Sequence, residues 1–475
     1  MASVRSEQEV LAPHYDELDR LYPKPPELVE FLEKERFSEY ALEPIPEDKR
    51  ARWWDITIVW MGFQIWPGGY FPGLLLAPVM DLGSAVAAII VGNLILFGVA
   101  GFYAHVGQRT GMTSYQLWKY AWGKQGFLVA MVVMWVTYMA WVAVEAGILA
   151  NYWGVKTSPS VEILVSFFAA ILAVIPAAFG IRALAYVSYA AVPLLIGMIV
   201  WSTVKGLAFF DGPPFAQTGT INWFVGLATV VGLWIVGANA NADFGRWLKS
   251  TKGAWGMTAM AFLVCNMPLN FAGLFLARAV GSGDQGTVFT TLGVYWLGFV
   301  AVTLGLVTTM DANSYSGGLQ LTAMVGHWFH RWQLVMVHGI CAGTIAAMGI
   351  FYSFYSWLQF LSIIMPILFG VLAADVALNW RQKYLAIPNW WWTRTKWSIP
   401  AVAAFAAGAG LNTYLWFRDD AHTWVLASAP GTALTFVVYL GLAYFIRDRS
   451  FEQLAAAVGE GPAVPSAAAP AARAR

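Results

Sequence analysis

Twelve apolar stretches, each long enough to cross a lipid bilayer as a helix, dominate this amino-acid sequence. A membrane-spanning helix needs about 20 mostly apolar residues, whereas strands of a membrane barrel show an alternation that is missing here. The chain therefore predicts an all-α, polytopic membrane protein with about twelve transmembrane helices. The predicted spans cover residues 53–77, 82–106, 127–153, 161–179, 183–206, 221–243, 254–280, 288–313, 333–351, 355–379, 398–417 and 425–446.

Charged residues are concentrated outside the predicted spans. The 394 residues of 53–446 carry only 11 acidic and 16 basic side chains, far below the roughly 25% charged content of soluble domains. This pattern excludes a soluble globular protein, a disordered chain and a disulfide-rich secreted protein. It predicts a polar N-terminal tail over 1–52, a membrane domain over 53–446 and a disordered, Ala/Pro-rich C-terminal tail over 447–475.

Lysine and arginine are distributed unevenly between the two sets of predicted loops. Loops on the side of both tails carry twelve of these residues, and loops on the other side carry four. Because cytoplasmic loops are enriched in Lys and Arg, we expect a multi-pass protein of the cell membrane with both termini cytoplasmic. The acidic start does not resemble a signal peptide, and a net charge of +1 gives no reason to expect a nucleic-acid polymer as partner.

Two spans, the first and the sixth, are interrupted. The first contains two prolines and three glycines within Gln64–Gly73, and the sixth contains Gly237-Ala-Asn-Ala-Asn-Ala-Asp243. Backbone groups freed at membrane depth must line a cavity or be buried in protein. Breaks five spans apart predict two inverted five-helix repeats over about 53–206 and 221–379, plus two extra helices over about 398–446, as in secondary transporters. The gating candidates at the breaks are Gly68, Gly69, Asn239 and Asn241.

Glu145 is the clearest ionisable residue inside a predicted span. A carboxylate at this depth is costly, so we expect it to face the protein interior or a hydrated cavity. Helical spacing places Tyr138, Trp141 and Glu145 on one face. Aromatic rings beside a carboxylate suit a flat ligand that presents N–H donors, although a carboxylate satisfied by neighbouring helices or a proton relay would fit the same pattern.

Span eight is predicted to end with Thr308-Thr309-Met-Asp311-Ala-Asn313. The two threonine hydroxyls are hard oxygen ligands that could bind a small alkali cation, or they could bond back to their own helix. Asp311 could be a coupling carboxylate or a charge at the helix end.

Several other features favour structural roles. Asp243 and Arg246 are expected to cap the cytoplasmic end of span six, and residues 113–123 to form an interfacial aromatic segment. Cys265 and Cys341 lie in apolar runs and are read as buried thiols without disulfide or metal spacing. Phosphate-binding loops, zinc-protease motifs and nucleophile elbows are all missing, so we expect a protein that is not an enzyme.

Several segments, taken together, resemble the nucleobase–cation symporter-1 family, most closely its cytosine-permease branch. The resemblance covers nearly all of residues 53–446 and leaves out both tails. The segments that carry it are Gly92-Asn-Leu-Ile-Leu, Gly107-Gln-Arg-Thr-Gly-Met-Thr113, Trp122-Gly-Lys-Gln-Gly126, Val231-Gly-Leu-Trp-Ile, Ala242-Asp-Phe-Gly-Arg246, Thr308-Thr-Met-Asp, Tyr315-Ser-Gly-Gly-Leu319, Phe360-Leu-Ser and Ala374-Asp375.

The resemblance implies a LeuT-like fold of five-plus-five inverted repeats with broken helices 1 and 6. It also implies roles for individual residues. Trp141 and Trp234 match aromatics that sandwich the substrate ring, and Gln64 matches a substrate-binding glutamine. The implied sodium site combines the hydroxyls of Thr308 and Thr309 with backbone carbonyls of Trp60, Phe63 and Gly305. The full set of expected substrate-binding residues is Gln64, Tyr138, Trp141, Glu145, Trp234 and Asn313.

One departure from the family pattern concerns the substrate edge. Glu145 stands where several members carry an amide, and a carboxylate only accepts hydrogen bonds whereas an amide also donates them. The substrate should therefore present adjacent N–H groups or a positive charge.

The residues and the resemblance together predict cation-coupled uptake of a flat nucleobase-like heterocycle, with sodium as the expected ion. A proton-coupled carrier of ureides, hydantoins or vitamin-precursor pyrimidines is the alternative, and a nutrient-binding membrane receptor is another. We expect no cofactor beyond the coupling ion, a lipid bilayer as surroundings, and no obligatory protein partner.

Overall fold

The computed structural model describes residues 39–153, 159–207, 219–283, 285–293, 295–325, 328–384, 396–418 and 424–446. Within these ranges the chain is helical or irregular and forms no strand. Residues 1–38 and 447–475 lie outside the described residues, and so do the predictions made for the C-terminal tail.

Eighteen α-helices follow one another along the described part of the chain. Their bounds are α1 Trp53–Gln64, α2 Phe71–Leu76, α3 Leu82–Thr110, α4 Ser114–Trp122, α5 Phe127–Tyr152, α6 Pro159–Ala173, α7 Ile175–Phe179, α8 Ile181–Leu207, α9 Trp223–Asn239, α10 Asn241–Gly245, α11 Thr251–Ala259, α12 Met267–Val280, α13 Gln285–Thr291, α14 Tyr295–Val325, α15 Arg331–Ala347, α16 Phe354–Asn379, α17 Ile399–Arg418 and α18 Trp424–Phe445.

Each predicted span has a helical counterpart, which confirms the all-α polytopic fold. By length and composition, six helical segments of the described chain are apolar enough to cross a membrane without interruption. The first and sixth spans are each divided into two helices, α1 with α2 and α9 with α10. The final pair, α17 and α18, packs together beside α16.

The predicted end of span eight is wrong. The sequence suggested 288–313, but α14 runs without interruption from Tyr295 to Val325. Polar residues after Thr309 looked like a helix terminus, yet all of them up to Thr322 are buried inside the protein. Asp311 therefore lies in the middle of a helix and is not a charge at its end.

The first break opens the backbone more than the second. Ile65 ends α1 and Trp66 is extended, with φ −139° and ψ 164°, before a 3-10 turn over Pro67–Tyr70 leads into α2. The second break leaves the helix only at Ala240, whose φ and ψ are −89° and −5°. Proline and glycine explain the first break, because they disfavour helix, and asparagine side chains accompany the second.

Residues 39–51 pack against the membrane domain at the end of the molecule where α1 begins, which we call the N-terminal face. Ala41, Leu42 and Ile45 are buried there, and the Ile45 amide donates to the Gly111 carbonyl at 2.9 Å. This part of the polar tail therefore packs on the membrane domain, although its composition had suggested a peripheral tail. Its apolar residues cover the loop that follows α3.

Two smaller predictions are also corrected. Helix α4 was expected at the membrane interface, but each of its nine residues is buried inside the protein. Burial lowers the pKa of Lys119 in this helix to about 7, because the charged ammonium loses its hydration. Both cysteines are free thiols as expected, but Cys341 is only half-buried whereas Cys265 is buried.

Candidate binding site between the broken helices

A narrow cavity lies between α1, α5, α9 and α14, next to the first break. Its side chains are almost completely buried. Apolar and aromatic groups form most of the wall, with a small number of polar groups, as is typical of small-molecule sites. The lining residues are Phe63, Trp66, Trp141, Glu145, Leu233, Trp234, Val236, Gly237, Thr309 and Asn313.

Three tryptophans form the aromatic part of the wall. Trp141 comes from α5 and Trp234 from α9, as the sequence predicted for a pair that holds a flat ring. Trp66, which the sequence analysis missed, stands perpendicular to both, with ring centroids 6.0 Å from Trp141 and 6.2 Å from Trp234. The sequence signal for Trp66 was its position within the first break, two residues after Gln64.

The polar end of the cavity is formed by Glu145 and Asn313. The Asn313 amide nitrogen donates to both carboxylate oxygens of Glu145, at 3.1 and 3.2 Å. This orientation follows because a carboxylate can only accept hydrogen bonds. With its N–H groups directed at Glu145, Asn313 can offer a ligand its carbonyl oxygen. The end of the cavity therefore presents acceptors and matches a ligand edge that carries N–H donors.

A cluster of hard oxygen atoms lies beside this cavity, where α14 meets the end of α1. The Thr308 hydroxyl lies 2.9 Å from the Gly62 carbonyl, and the Thr309 hydroxyl lies 3.4 Å from the Phe63 carbonyl. Both hydroxyls also bond back to their own helix, to the Gly305 carbonyl at 3.0 and 2.6 Å and, for Thr308, to the Leu304 carbonyl at 3.1 Å. The two hydroxyls and the carbonyls of Gly62, Phe63 and Gly305 thus form one connected group of five oxygens, of the kind that hard cations prefer.

The oxygen cluster agrees with most of the set expected from the sequence. Phe63, Gly305, Thr308 and Thr309 all contribute, but the second carbonyl of α1 in contact with a hydroxyl belongs to Gly62. Trp60, two residues earlier, packs its ring against Phe63 and Phe244.

Gly305 also permits a close approach. A Cβ atom at this position would lie 3.1 Å from the Ile65 carbonyl and 3.2 Å from the Trp66 Cα, so a side chain there would push α14 away from the first break.

The remaining predicted residues lie near the cavity but outside its lining. Gln64 and Tyr138 are completely buried, and neither the Gln64 amide nor the Tyr138 hydroxyl has a hydrogen-bond partner among the described residues. Asp311 is buried on a different face of α14 from Thr309 and Asn313, and one of its carboxylate oxygens also lacks such a partner.

The carbonyls released at the first break are bound by side chains from other helices. Gln285 donates to the Pro67 carbonyl at 2.8 Å, and Asn270 donates to the Gly69 carbonyl at 2.8 Å. Asn93 donates to the Asn270 side-chain oxygen at 2.9 Å. Gly69 therefore contributes its carbonyl to a network that fixes the break between α3 and α12.

The asparagines of the second break bond outward to neighbouring helices. Asn239 donates to the Met365 carbonyl at 3.0 Å, and Asn241 donates to the Ala100 carbonyl and the Thr258 hydroxyl, both at 2.9 Å. The two asparagine side chains therefore hold α9 and α10 against neighbouring helices.

Asp243 and Arg246 do more than cap the sixth span. Asp243 accepts the Ser114 amide of α4 at 2.8 Å. Arg246 is completely buried and donates to the carbonyls of Glu39 and Tyr40, at 2.7 and 2.9 Å, and to the Tyr315 hydroxyl at 3.2 Å. Only its Nε bond to the Asp243 carbonyl, at 3.2 Å, is of the capping kind.

The fold and the enclosed site between two broken helices define a class of protein, the LeuT-like secondary transporters of membranes. Solved structures agree with this fold. Mhp1, a nucleobase-cation-symport-1 family transporter in a closed conformation with bromovinylhydantoin bound, has a TM-score of 0.70 at 14% identity and covers 88% of this chain and 99% of its own. A Na⁺-coupled sialic acid symporter in a substrate-bound outward-open state has a TM-score of 0.66 at 11% identity and covers 92% and 97%.

The sequence comparisons identify the family. A family profile described as "Permease for cytosine/purines, uracil, thiamine, allantoin" matches residues 44–438. The cytosine permease of Escherichia coli strain K12 is 27% identical over 383 residues, which are 80% of this chain and 89% of the relative. The chain belongs to this permease family, the nucleobase–cation symporter-1 transporters, and is a multi-pass membrane transporter and not an enzyme.

Proposed function

We propose that this protein takes up a flat, nucleobase-like heterocycle, coupled to sodium, by alternating access across the cell membrane with both termini cytoplasmic. The observation that carries the proposal is the contact between two sites at the first break. A cluster of five hard oxygens lies directly beside a cavity walled by tryptophans, and Thr309 belongs to both. A cation bound at Thr308 and Thr309 would therefore order the wall of the cavity.

The substrate is proposed to bind with its ring against Trp141 and Trp234 and its edge at Glu145 and Asn313. Aromatic stacking contributes on the order of 1 kcal/mol per face beyond simple burial. Charge-assisted hydrogen bonds to Glu145 are stronger than neutral ones and set selectivity for N–H donors. Because Trp66 stands between the two other tryptophans, the ring enters only when Trp66 turns aside.

A proton-coupled carrier is the second candidate, and one observation favours it. Two buried carboxylates, Glu145 and Asp311, lie in the core of the protein, and neither has a Lys, Arg or His within ion-pair distance among the described residues. Proton uptake would neutralise such groups at little cost. The choice between the two ions is made by the experiment below.

The first test is ligand-induced thermal stabilisation of the purified protein. Cytosine, other nucleobases, amino-pyrimidines, hydantoins and ureides are compared in sodium and in choline buffers. A ligand at one hundred times its Kd stabilises the folded state by about 2.7 kcal/mol, so binding is seen without any flux measurement. Stabilisation that strengthens with sodium supports sodium coupling. Stabilisation that is equal in choline contradicts it and favours protons.

The cation site is tested with Thr309→Val and a matched control, Thr322→Val. Thr322 is buried on the same helix and bonds back to Gly318, but it lies away from the oxygen cluster. We expect Thr309→Val to abolish the effect of sodium on ligand binding and Thr322→Val to retain it. Equal sodium dependence in both variants would remove Thr309 from the site.

The substrate edge is tested with Glu145→Gln. An amide at this position weakens ligands whose edge carries only N–H donors by about tenfold, which corresponds to about 1.4 kcal/mol, and favours ligands that also carry an acceptor. Glu162→Gln on α6 is the control, because Glu162 contacts Tyr352 at an exposed site. Unaltered specificity in Glu145→Gln would show that Glu145 does not contact the substrate.

A further inference from the structure

The cavity between the broken helices is too small for the kind of ligand that its wall suits. Its volume is about 10 Å³, which is room for at most one water molecule, whereas a flat heterocycle is much larger. Part of the wall therefore has to move when such a ligand binds. The Trp66 ring meets both Trp141 and Trp234 at right angles, with ring centroids 6.0 and 6.2 Å away, so it occupies space beside both rings.

Trp66 differs from the other two tryptophans in the backbone that carries it. Trp141 and Trp234 lie within the helices α5 and α9, where the preceding turn restricts the rotation of a side chain. Trp66 is extended, with φ −139° and ψ 164°, and Pro67 after it favours that backbone conformation. The Trp66 ring can therefore leave its position by side-chain rotation, while the backbone of the first break stays in place.

The position of the Trp66 ring depends on Gly68, two residues later in the 3-10 turn. A Cβ atom at Gly68 would overlap the outer edge of this ring, so the ring lies directly on the Gly68 backbone. At the next residue, Gly69, a Cβ atom would instead approach Leu269 Cδ1 at 2.9 Å, and Leu269 does not line the cavity. Gly68 thus allows the Trp66 ring to pack against the two other tryptophans.

The Trp66 indole makes fewer hydrogen bonds in this position than a polar ligand can make. The ring is buried, and its Nε1 donor has no hydrogen-bond partner among the described residues. Glu145 and Asn313 line the same cavity and present acceptors. A heterocycle with N–H groups therefore gains hydrogen bonds when it replaces the indole. An apolar ring gains little, because it only exchanges one aromatic contact for another.

We infer that the Trp66 indole is an internal competitor for the place of the substrate's ring beside Trp141 and Trp234, and so determines which ligands bind. This inference rests on the proposed function. A side chain that occupies the site reduces the apparent affinity of every ring ligand by the same factor. A ligand whose edge also bonds to Glu145 and Asn313 overcomes this loss, and an aromatic molecule without N–H donors does not.

The first test compares Trp66→Ala with Trp60→Ala as the matched control. Trp60 is also buried, and its Nε1 also has no partner among the described residues, but it packs against Phe63 and Phe244 and does not line the cavity. The Kd values of cytosine, uracil and hydantoin are measured by calorimetry on the purified full-length protein. Benzofuran, which has the size of indole and no N–H group, is tested as a competitor.

We expect Trp66→Ala to bind at least one polar probe about tenfold more tightly than wild type does, because the competing ring is gone. Benzofuran should compete with that probe in Trp66→Ala and not in wild type. Trp60→Ala should show neither change, although it also removes a buried indole.

A second pair, Gly68→Ala and Gly69→Ala, tests the inference with all tryptophans present. The methyl group at Gly68 pushes the Trp66 ring out of its place, so this variant should bind the polar probe about threefold more tightly or better, whereas Gly69→Ala should stay within about twofold of wild type. This pair decides the result where Trp66→Ala does not fold.

Unchanged or weaker binding in Trp66→Ala, or in Gly68→Ala where Trp66→Ala does not fold, would overturn the internal competitor. An equal gain in the control variants would do the same. In these cases wild-type binding still supports the proposed function. If neither the wild type nor any variant binds a polar probe, the proposed function and the inference both fail.

Discussion

At the first break the chain leaves the helix at Ile65 and is extended at Trp66, and the Pro67 and Gly69 carbonyls are bound by side chains from distant helices. At the second break the helix is interrupted only at Ala240, whose amide still reaches the Val236 and Gly237 carbonyls. The first break thus depends on its surroundings for partners, whereas the second keeps most of its own hydrogen bonds. The oxygen cluster lies beside the first break, at the last turn of α1.

The consequence is a division of roles between the two interrupted spans. The first break places the Trp66 ring in the wall of the cavity and lies beside the oxygen cluster, so it can form sites for an ion and a substrate. At the second break, Asn239 and Asn241 hydrogen-bond to neighbouring helices, and Trp234 lines the cavity. Substitutions at the first break should therefore be the more damaging.

The largest effect is expected from Gly73→Ala, just after the first break. A Cβ at Gly73 would overlap the Asn270 carbonyl and the Leu274 amide, which are backbone atoms and cannot turn aside. We expect a loss of about 3 kcal/mol or more in the free energy of unfolding, at the upper end for overpacking, measured by thermal or denaturant melts without ligand.

Two other glycine variants serve as comparisons for the stability loss expected of Gly73→Ala. At Gly237, before the second break, a Cβ would approach the Trp234 ring at 3.1 Å and the Phe63 ring at 3.6 Å, both of them side chains, so Gly237→Ala should cost less than about 1 kcal/mol. A Cβ at Gly98 would meet no atom within 4 Å, so Gly98→Ala should be neutral or stabilising. If Gly237→Ala is as destabilising as Gly73→Ala, the two breaks do not differ as described.

An intermediate effect is expected from the asparagines that bind the broken segments. Asn270→Leu leaves the Gly69 carbonyl without its partner and removes one of the two acceptors of the Asn93 amide, which keeps the Ile89 carbonyl, and should cost about 2 kcal/mol. Asn239→Leu leaves only the Met365 carbonyl, and should cost about 1 kcal/mol. The pair is compared in the same denaturant series, and a larger loss for Asn239→Leu would reverse the assignment of roles.

The smallest effect is expected from Gln64→Leu, at the last residue of α1. Both polar atoms of this buried amide lack partners among the described residues, so an apolar side chain of similar size should leave stability unchanged or raise it by up to about 1 kcal/mol. The same variant should bind the heterocycle less tightly, because an amide that bonds the substrate has been removed. Asn93→Leu, which removes an amide with partners, is the destabilising control. Tighter binding by Gln64→Leu would contradict a substrate role.

The sequence predicted the location of both breaks but not how they differ. Proline and glycine identify a broken helix reliably, because their effect on the backbone is local. The extent of the second break depends on where Asn239 and Asn241 find acceptors, and those acceptors belong to α16 and α3. Partners this far apart in the chain are not encoded in local spacing.

The site was predictable in its residue types and less so in its pairings. Trp141, Glu145, Trp234, Thr309 and Asn313 were each expected, and all of them line the cavity. The contact between Glu145 and Asn313 joins α5 to α14 and could not be read from either helix. Span eight was ended too early because buried polar residues have the composition of a helix terminus. Gly62 was not among the expected carbonyls, because which carbonyl of α1 meets Thr308 depends on how α1 packs against α14.

The hydrogen bonds of Arg246 affect the balance between conformations. Its guanidinium joins α10 to the Glu39 and Tyr40 carbonyls and to Tyr315 of α14, so three parts of the chain are tied at the N-terminal face. Under alternating access, opening this face exchanges those bonds for bonds to water. Each kcal/mol by which the Arg246 hydrogen bonds are favoured over bonds to water changes the ratio of closed to open molecules about fivefold. The Glu39–Tyr40 segment, which lies before α1, thus favours the conformation in which the N-terminal face is closed.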